Sequence, residues 1–227
     1  MSAMNVVKAI PDLVRVRNVL ISVFDKTGLP ELVVGLLANC PGVRIWSTGG
    51  TYLAIKEILG DQAGAHLGQV SDFTGQPEMQ GGLVKTLDYK IYLGLLSEPN
   101  NTAHENDIKR VGGLIFDLTI VNLYPFNQTI AKAGISLEEA RGYIDIGGPT
   151  MLRASAKNYL RVAVVCDIAD YAAVIHELHL HQGELSLATR FRLSAKVYAT
   201  TSAYDAAIAS YLASQPVPSA FSCYSVS

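Results

Sequence analysis

"NVLISVFDKTGL" (residues 18–29) decides the fold: a near-continuous apolar, strand-forming run passes through a short polar turn straight into a helical pattern. Apolar residues at consecutive positions suit a strand buried on both faces, the condition of a parallel sheet covered by helices. "VRIWS" (43–47), "LTIVNLY" (118–124) and "VAVVC" (162–166) have the same character. Helical periods fill the intervals, at 29–39, 50–59, 136–143, 150–159 and 168–182. This alternation predicts an α/β fold, a mostly parallel sheet flanked by helices on both faces, with ligands at the C-terminal ends of the strands. Residues 186–213, Ala-rich with apolar residues at helical spacing, add one or two C-terminal helices. "SEPNNTAHEND" (97–107) is rich in turn formers and predicts an exposed loop, and the chain beyond Pro216 is expected to fray.

The 227 residues suffice for one large domain. Although 49% of them are hydrophobic, no uninterrupted apolar run reaches the roughly 18 residues of a membrane span. The opening "MSAMNVVKAIPDLVRVRN" lacks the apolar core and small-residue cleavage site of a signal peptide, so a soluble, cytoplasmic protein is expected. Cys40, Cys166 and Cys223 show no CxxC spacing, which speaks against a disulfide framework or zinc ribbon. A formal charge of −2 without basic runs gives no footprint for nucleic acid. In "HELHLHQG" (176–183), only His176 and His179 share a helical face with each other, and no carboxylate completes a site with His181. No metal is expected.

Three turns have the character of anion sites. "VFDKTGL" (23–29) places Lys26 and Thr27 before a helix whose first N–H groups lack intrahelical partners. "STGGTYLA" (47–54) repeats that logic: Thr48 and Thr51 supply hydroxyls, and Gly49 and Gly50 let backbone approach a phosphate. No GK[ST] follows, so it is not a Walker loop. In "YIDIGGPTMLRASAKN" (143–158), Gly147 and Gly148 precede Pro149, which suits a first helical turn. Each turn taken alone is equally an ordinary helix cap. Asp145 is read either as such a cap or as a proton acceptor aimed at the far end of a ligand whose phosphate binds elsewhere. Lys85 and Thr86 in "GGLVKTLDYKIY" (81–92), with Asn122 and Tyr124 in "VNLYPF" (121–126), suit recognition of a polar heterocycle or amide.

"ISVFDKTGL", "STGGT", "VSDFTGQPEM", "VKTL", "VNLYPF", "IDIGGPTMLRASAKN" and "SAYDAAIASYL", in this order, resemble the inosine monophosphate (IMP) cyclohydrolase domain of the bifunctional purine-biosynthesis enzymes. The likeness runs from about residue 18 to 213. It implies a methylglyoxal-synthase-like fold and an enzyme that closes the second purine ring of 5-formamidoimidazole-4-carboxamide ribotide, releasing water and forming inosine monophosphate. It also implies a homodimer, a nucleotide substrate, and neither metal nor cofactor. Carried over motif by motif, Lys85, Tyr124, Asp145 and Lys157 match the catalytic set, and Ser22, Lys26, Thr48, Gly49, Gly50, Thr51 and Thr86 match phosphate or ribose contacts. Thr27, Asn122, Ile146, Gly147 and Gly148 complete the expected substrate-binding set. Residues 1–17 are then an N-terminal extension, 18–213 the domain, and 214–227 a tail. The family's transformylase domain is expected to be absent here and its activity to reside on a separate protein or domain.

The departures from the family cluster. Where it commonly reads "GRVKTLHPKIHGG", this chain reads "GLVKTLDYKIYLG" (82–94), placing Leu83, Asp88, Tyr89, Tyr92 and Leu93 where the family has arginine, histidine, proline, histidine and glycine. Loss of the arginine raises an alternative, a divergent non-catalytic or regulatory paralogue that binds a phosphorylated purine-pathway metabolite.

Overall fold

A computed structural model describes residues 6–76 and 85–225. The first half of the chain runs through β1 (Val14–Arg15), β2 (Asn18–Val23), α1 (Leu29–Asn39), β3 (Arg44–Ser47), α2 (Gly49–Leu59), α3 (Ala63–His66), β4 (Leu67–Gln69), α4 (Val70–Thr74) and α5 (Tyr89–Leu96). It continues through α6 (Thr102–Arg110), β5 (Leu118–Asn122), α7 (Phe126–Ile130), α8 (Leu137–Gly142), α9 (Gly147–Lys157) and β6 (Ala163–Val165). The last elements are α10 (Tyr171–Leu180), β7 (Glu184–Leu185), α11 (Leu187–Ser214) and α12 (Val217–Ser222).

Five strands form a wholly parallel sheet in the order β4-β3-β2-β5-β6, while β1 and β7 pair antiparallel beside it. Side chains alternate across each strand, so the apolar runs supply two cores. Val19, Ile21, Ile45, Leu118, Ile120 and Val165 join α1, α2 and α10 on one face. Leu20, Val121 and Val164 join α5, α9 and α11 on the other. Thr119 points into that second core, and its hydroxyl is met by the Ser155 hydroxyl of α9 at 2.9 Å. The end of α9 is tied down equally firmly. Asn158 Nδ2 donates to the Leu95 and Ser97 carbonyls at 2.7 and 2.8 Å, and Arg161 donates to those of Gly94 and Phe116 at 2.7 Å each.

Several expectations are corrected. Residues 97–107 are not simply a loop, because Asn101 accepts the Ala103 and His104 amides and so starts α6. The stretch after Lys85, where the sequence patterning named no element, turns at Lys85–Thr86 and enters α5, capped by Asp88, whose carboxylate accepts the Lys90 amide at 2.8 Å. The C-terminal run is a single helix, α11, within the expected one or two, whereas the segment after Pro216 forms α12 instead of fraying. β4 adds an edge strand that the sequence patterning did not reveal. Leu83 and Val84, with the Pro77–Met79 end of the third motif, lie outside the described residues. Among the described residues no helix is long and apolar enough to cross a membrane.

Candidate active site

The chain leaves β2 toward β3 and β4, then returns to build β5 and β6 on the other side of β2. Between β2 and β5 the connections therefore diverge to opposite sides, and such a switch point leaves a crevice at the strand C-termini. A cavity of about 500 Å³ opens there. Ser22, Phe24 and Lys26 border it at and just beyond the end of β2, Thr48–Thr51 at the start of α2, Asn122 and Tyr124 at the end of β5, and Asp145–Gly148 at the start of α9. Lys85 and Thr86 close it from the turn before α5.

Two of the polar residues expected at the ligand have structural work. Asn122 Oδ1 accepts the Phe24 and Asp25 amides at 2.6 and 3.0 Å, while its Nδ2 donates to the Asp25 carbonyl at 2.7 Å. The Asn122 amide thus staples the β2 turn to β5. Thr51, 5% exposed, donates its hydroxyl to the Val23 carbonyl at 2.9 Å and accepts the Val23 amide at 3.1 Å. The glycines are shaped by the residues that face them. A Cβ at Gly49, where φ is +51°, would stand 3.2 Å from Lys85 Nζ. One at Gly147 would meet Thr86 Oγ1 at 2.8 Å, and one at Gly148 would run into the Asp145 carboxylate and into Leu123 Cδ2 at 2.7 Å.

Asp145 combines a capping contact with a place at the cavity. Its Oδ1 accepts the Gly148 amide at 2.9 Å, so it caps α9 while lining the cavity. Burial pushes its carboxyl above the usual aspartate value, against the pull of the Gly148 and Gly147 amides. Such a carboxylate is a better proton acceptor than an exposed one. Tyr124 is likewise pushed up, first by burial and then by the Asp145 charge, which keeps its phenol a donor at neutral pH. Its ring is fixed edge-on against Phe24 at 5.0 Å and Tyr143 at 6.4 Å.

Two expected site residues are not brought to the cavity. Thr27 is exposed in the turn that Asp25 closes by accepting the Thr27 amide at 2.9 Å. Lys157 ends the 11-residue α9, and a rise of 1.5 Å per residue leaves it about 15 Å from that helix's N-terminus; its side chain is exposed. Conversely, the sequence reading missed Phe24 and Met151, which line the cavity, and Tyr204, whose hydroxyl accepts the Asp145 amide at 2.8 Å. Of the departures from the family pattern, Asp88, Tyr89, Tyr92 and Leu93 do not line the cavity but build α5.

Fold and cavity together define a doubly wound α/β domain with amide-rich turns around a pocket at its switch point. A family model described as the MGS-like domain matches residues 31–150, and the chain belongs to that family. A second model, the AICARFT/IMPCHase bienzyme, matches residues 155–225. The bifunctional purine biosynthesis protein PurH of Ruminiclostridium cellulolyticum is 48% identical over 87% of this chain and 37% of its own length. That of Magnetococcus marinus is 46% identical over 88% of this chain and 36% of its own. The chain thus spans little more than a third of the curated relatives it matches. A solved structure, the crystal structure of ForH, is similar with a TM-score of 0.73 at 30% identity, covering 85% of this chain and 95% of that one.

Proposed function

We infer that the protein is an enzyme, an IMP cyclohydrolase of purine biosynthesis that closes the ring of 5-formamidoimidazole-4-carboxamide ribotide. The observation that carries this reading is the meeting of Lys85, Tyr124 and Asp145 with three amide-rich turns around one cavity, in a chain similar to purine-biosynthesis proteins.

The chemistry requires three things. The carboxamide nitrogen, a weak nucleophile, attacks the formyl carbon; the negative charge that develops on the formyl oxygen needs stabilisation; that oxygen then leaves as water. Asp145, with its raised proton affinity, takes the proton from the carboxamide nitrogen as the C–N bond forms. Lys85 faces the developing oxyanion and protonates it, while the N-terminal amides of α9 add fixed positive dipole. Asp145 then returns its proton to the resulting hydroxyl, which departs as water as the C=N bond forms, and the formamido N–H proton passes to Lys85, restoring both groups. Tyr124 orients the substrate as a hydrogen-bond donor. The turns at Ser22–Lys26 and Thr48–Thr51, with Thr86, hold the phosphate and ribose; within them Thr51 offers its backbone amide, because its hydroxyl is engaged with Val23. The altered residues of α5 lie outside the cavity lining, which favours turnover over a purely regulatory role. Incubating the purified protein with the formamido ribotide and following purine absorbance in the ultraviolet tests the reading.

A further inference from the structure

Tyr204 lies in "SAYDAAIASYL" (202–212) on α11, and the cavity lining includes no residue of that helix. Its hydroxyl nevertheless reaches the segment that carries Asp145. The Asp145 amide donates to it at 2.8 Å, and it donates in turn to the Tyr143 carbonyl at 3.2 Å. One hydroxyl therefore fixes two peptide groups on either side of Ile144, in the short link between α8 and α9. The Tyr204 ring is held in its own right, 6.2 Å from Phe126, which is 2% exposed and also meets Tyr211 at 5.8 Å.

Asp145 is thus gripped at two points, its carboxylate by the Gly148 amide at 2.9 Å and its backbone by Tyr204. The first grip fixes the carboxylate relative to α9 only; the second ties the link to α11 and, through Phe126, to the turn after β5. We propose that Tyr204 is a positioning residue for the ring-closing reaction, holding Asp145 in register with Tyr124 and Lys85 from outside the cavity. The proposal rests on the reading of Asp145 as the proton acceptor. Burial pushes the Tyr204 phenol above its usual range, so the hydroxyl keeps its proton at neutral pH and serves both bonds.

Tyr204→Phe removes the hydroxyl and keeps the ring. Since a misplacement of about 1 Å can cost roughly 100-fold in rate, kcat for cyclisation should fall about 10- to 100-fold, with KM changed by less than about threefold. Tyr211→Phe, on the same helix and against the same Phe126 ring, should stay close to wild type. In an Asp145→Asn background the Tyr204→Phe loss should shrink to less than about twofold, because a residue that acts through Asp145 has nothing left to position. Equal losses in both backgrounds, or a loss confined to KM, would overturn the proposal. If the wild-type protein does not cyclise the ribotide, the functional reading fails on that result alone. The grip is then read by amide hydrogen exchange, where Tyr204→Phe should speed exchange at Asp145 at least about tenfold relative to the interior of α9. Unchanged exchange there would overturn it.

Discussion

The Asp145 carboxylate accepts the Gly148 amide at 2.9 Å, so the proposed proton acceptor is also the cap of the helix at whose mouth it stands. Burial raises its proton affinity. A carboxyl whose folded-state pKa lies above its unfolded value contributes stability that is complete below the unfolded pKa and is lost as pH rises through the folded one. At neutral pH the ionised group is therefore held at a cost. Asparagine keeps the capping oxygen and removes the charge. Asp145→Asn should melt at or above the wild-type temperature at pH 7 while losing about 100- to 10,000-fold in turnover, the usual range for general-base removal. Differential scanning calorimetry beside a rate measurement checks both, and a clearly lower melting temperature would show that the charge stabilises the fold.

The paired glycines of the same turn should respond to close approach. A Cβ at Gly148 would strike the Asp145 carboxylate and stand 2.7 Å from Leu123 Cδ2, whereas one at Gly50 meets nothing within 4 Å. Gly148→Ala should cost about 1–3 kcal/mol as overpacking and cut turnover by displacing Asp145. Gly50→Ala, inside α2, should hold or raise the melting temperature, since alanine is favoured over glycine in a helix by about 0.5–1 kcal/mol. Thermal melts of the two variants compare them directly.

Asn122 should prove structural. Its amide makes three hydrogen bonds to the backbone of Phe24 and Asp25, and Asn122→Ala leaves those groups to find other partners. A loss of about 2–3 kcal/mol follows, or roughly 5–10 °C in a chain of this size, and the loosened turn should weaken nucleotide binding measured by calorimetry. A variant that melts like wild type but binds poorly would return Asn122 to direct ligand contact.

Lys157 gives a cleaner separation of fold from site. It is exposed at the last turn of α9, where a cation interacts with the helix dipole by about 0.3–1 kcal/mol. Lys157→Ala should thus shift the melting temperature by no more than about 2–4 °C. Any large loss of turnover in that stably folded variant would report a contact that Lys157 does not make to its own cavity.

The sheet was legible because its central strands are apolar on both faces, and the runs at 18–24, 43–47, 118–124 and 162–166 carry that signature without help from neighbours. β4 was not, being a three-residue edge strand whose Gly68 marks the close approach of the Trp46 ring. α6 hid because Ile108 is its one buried residue, too little for a helical period to show. α5 hid because "KIYLGLL" alternates poorly and its start depends on Asp88 turning back onto the Lys90 amide. At the site, the turns could be read locally since glycines and hydroxyls before a helix have few other uses. Tyr204 could not, because it lies 59 positions along the chain from Asp145 and only the packing of α11 on α7 and α9 brings the two together. Lys157 was carried over by likeness alone, and the straight run of α9 sets it apart from the cavity.

The most direct test of the central claim is the rate of purine formation from the formamido ribotide, followed in the ultraviolet, for wild type and Lys85→Ala in the presence of a chelator and without folate. Lys85 borders the cavity beside Gly49, and loss of an oxyanion-stabilising group costs about 100- to 1,000-fold. The account predicts steady turnover by the wild-type protein and a loss of that order in a variant that still folds. Absence of purine from the wild type, or equal rates for the two proteins, would contradict it.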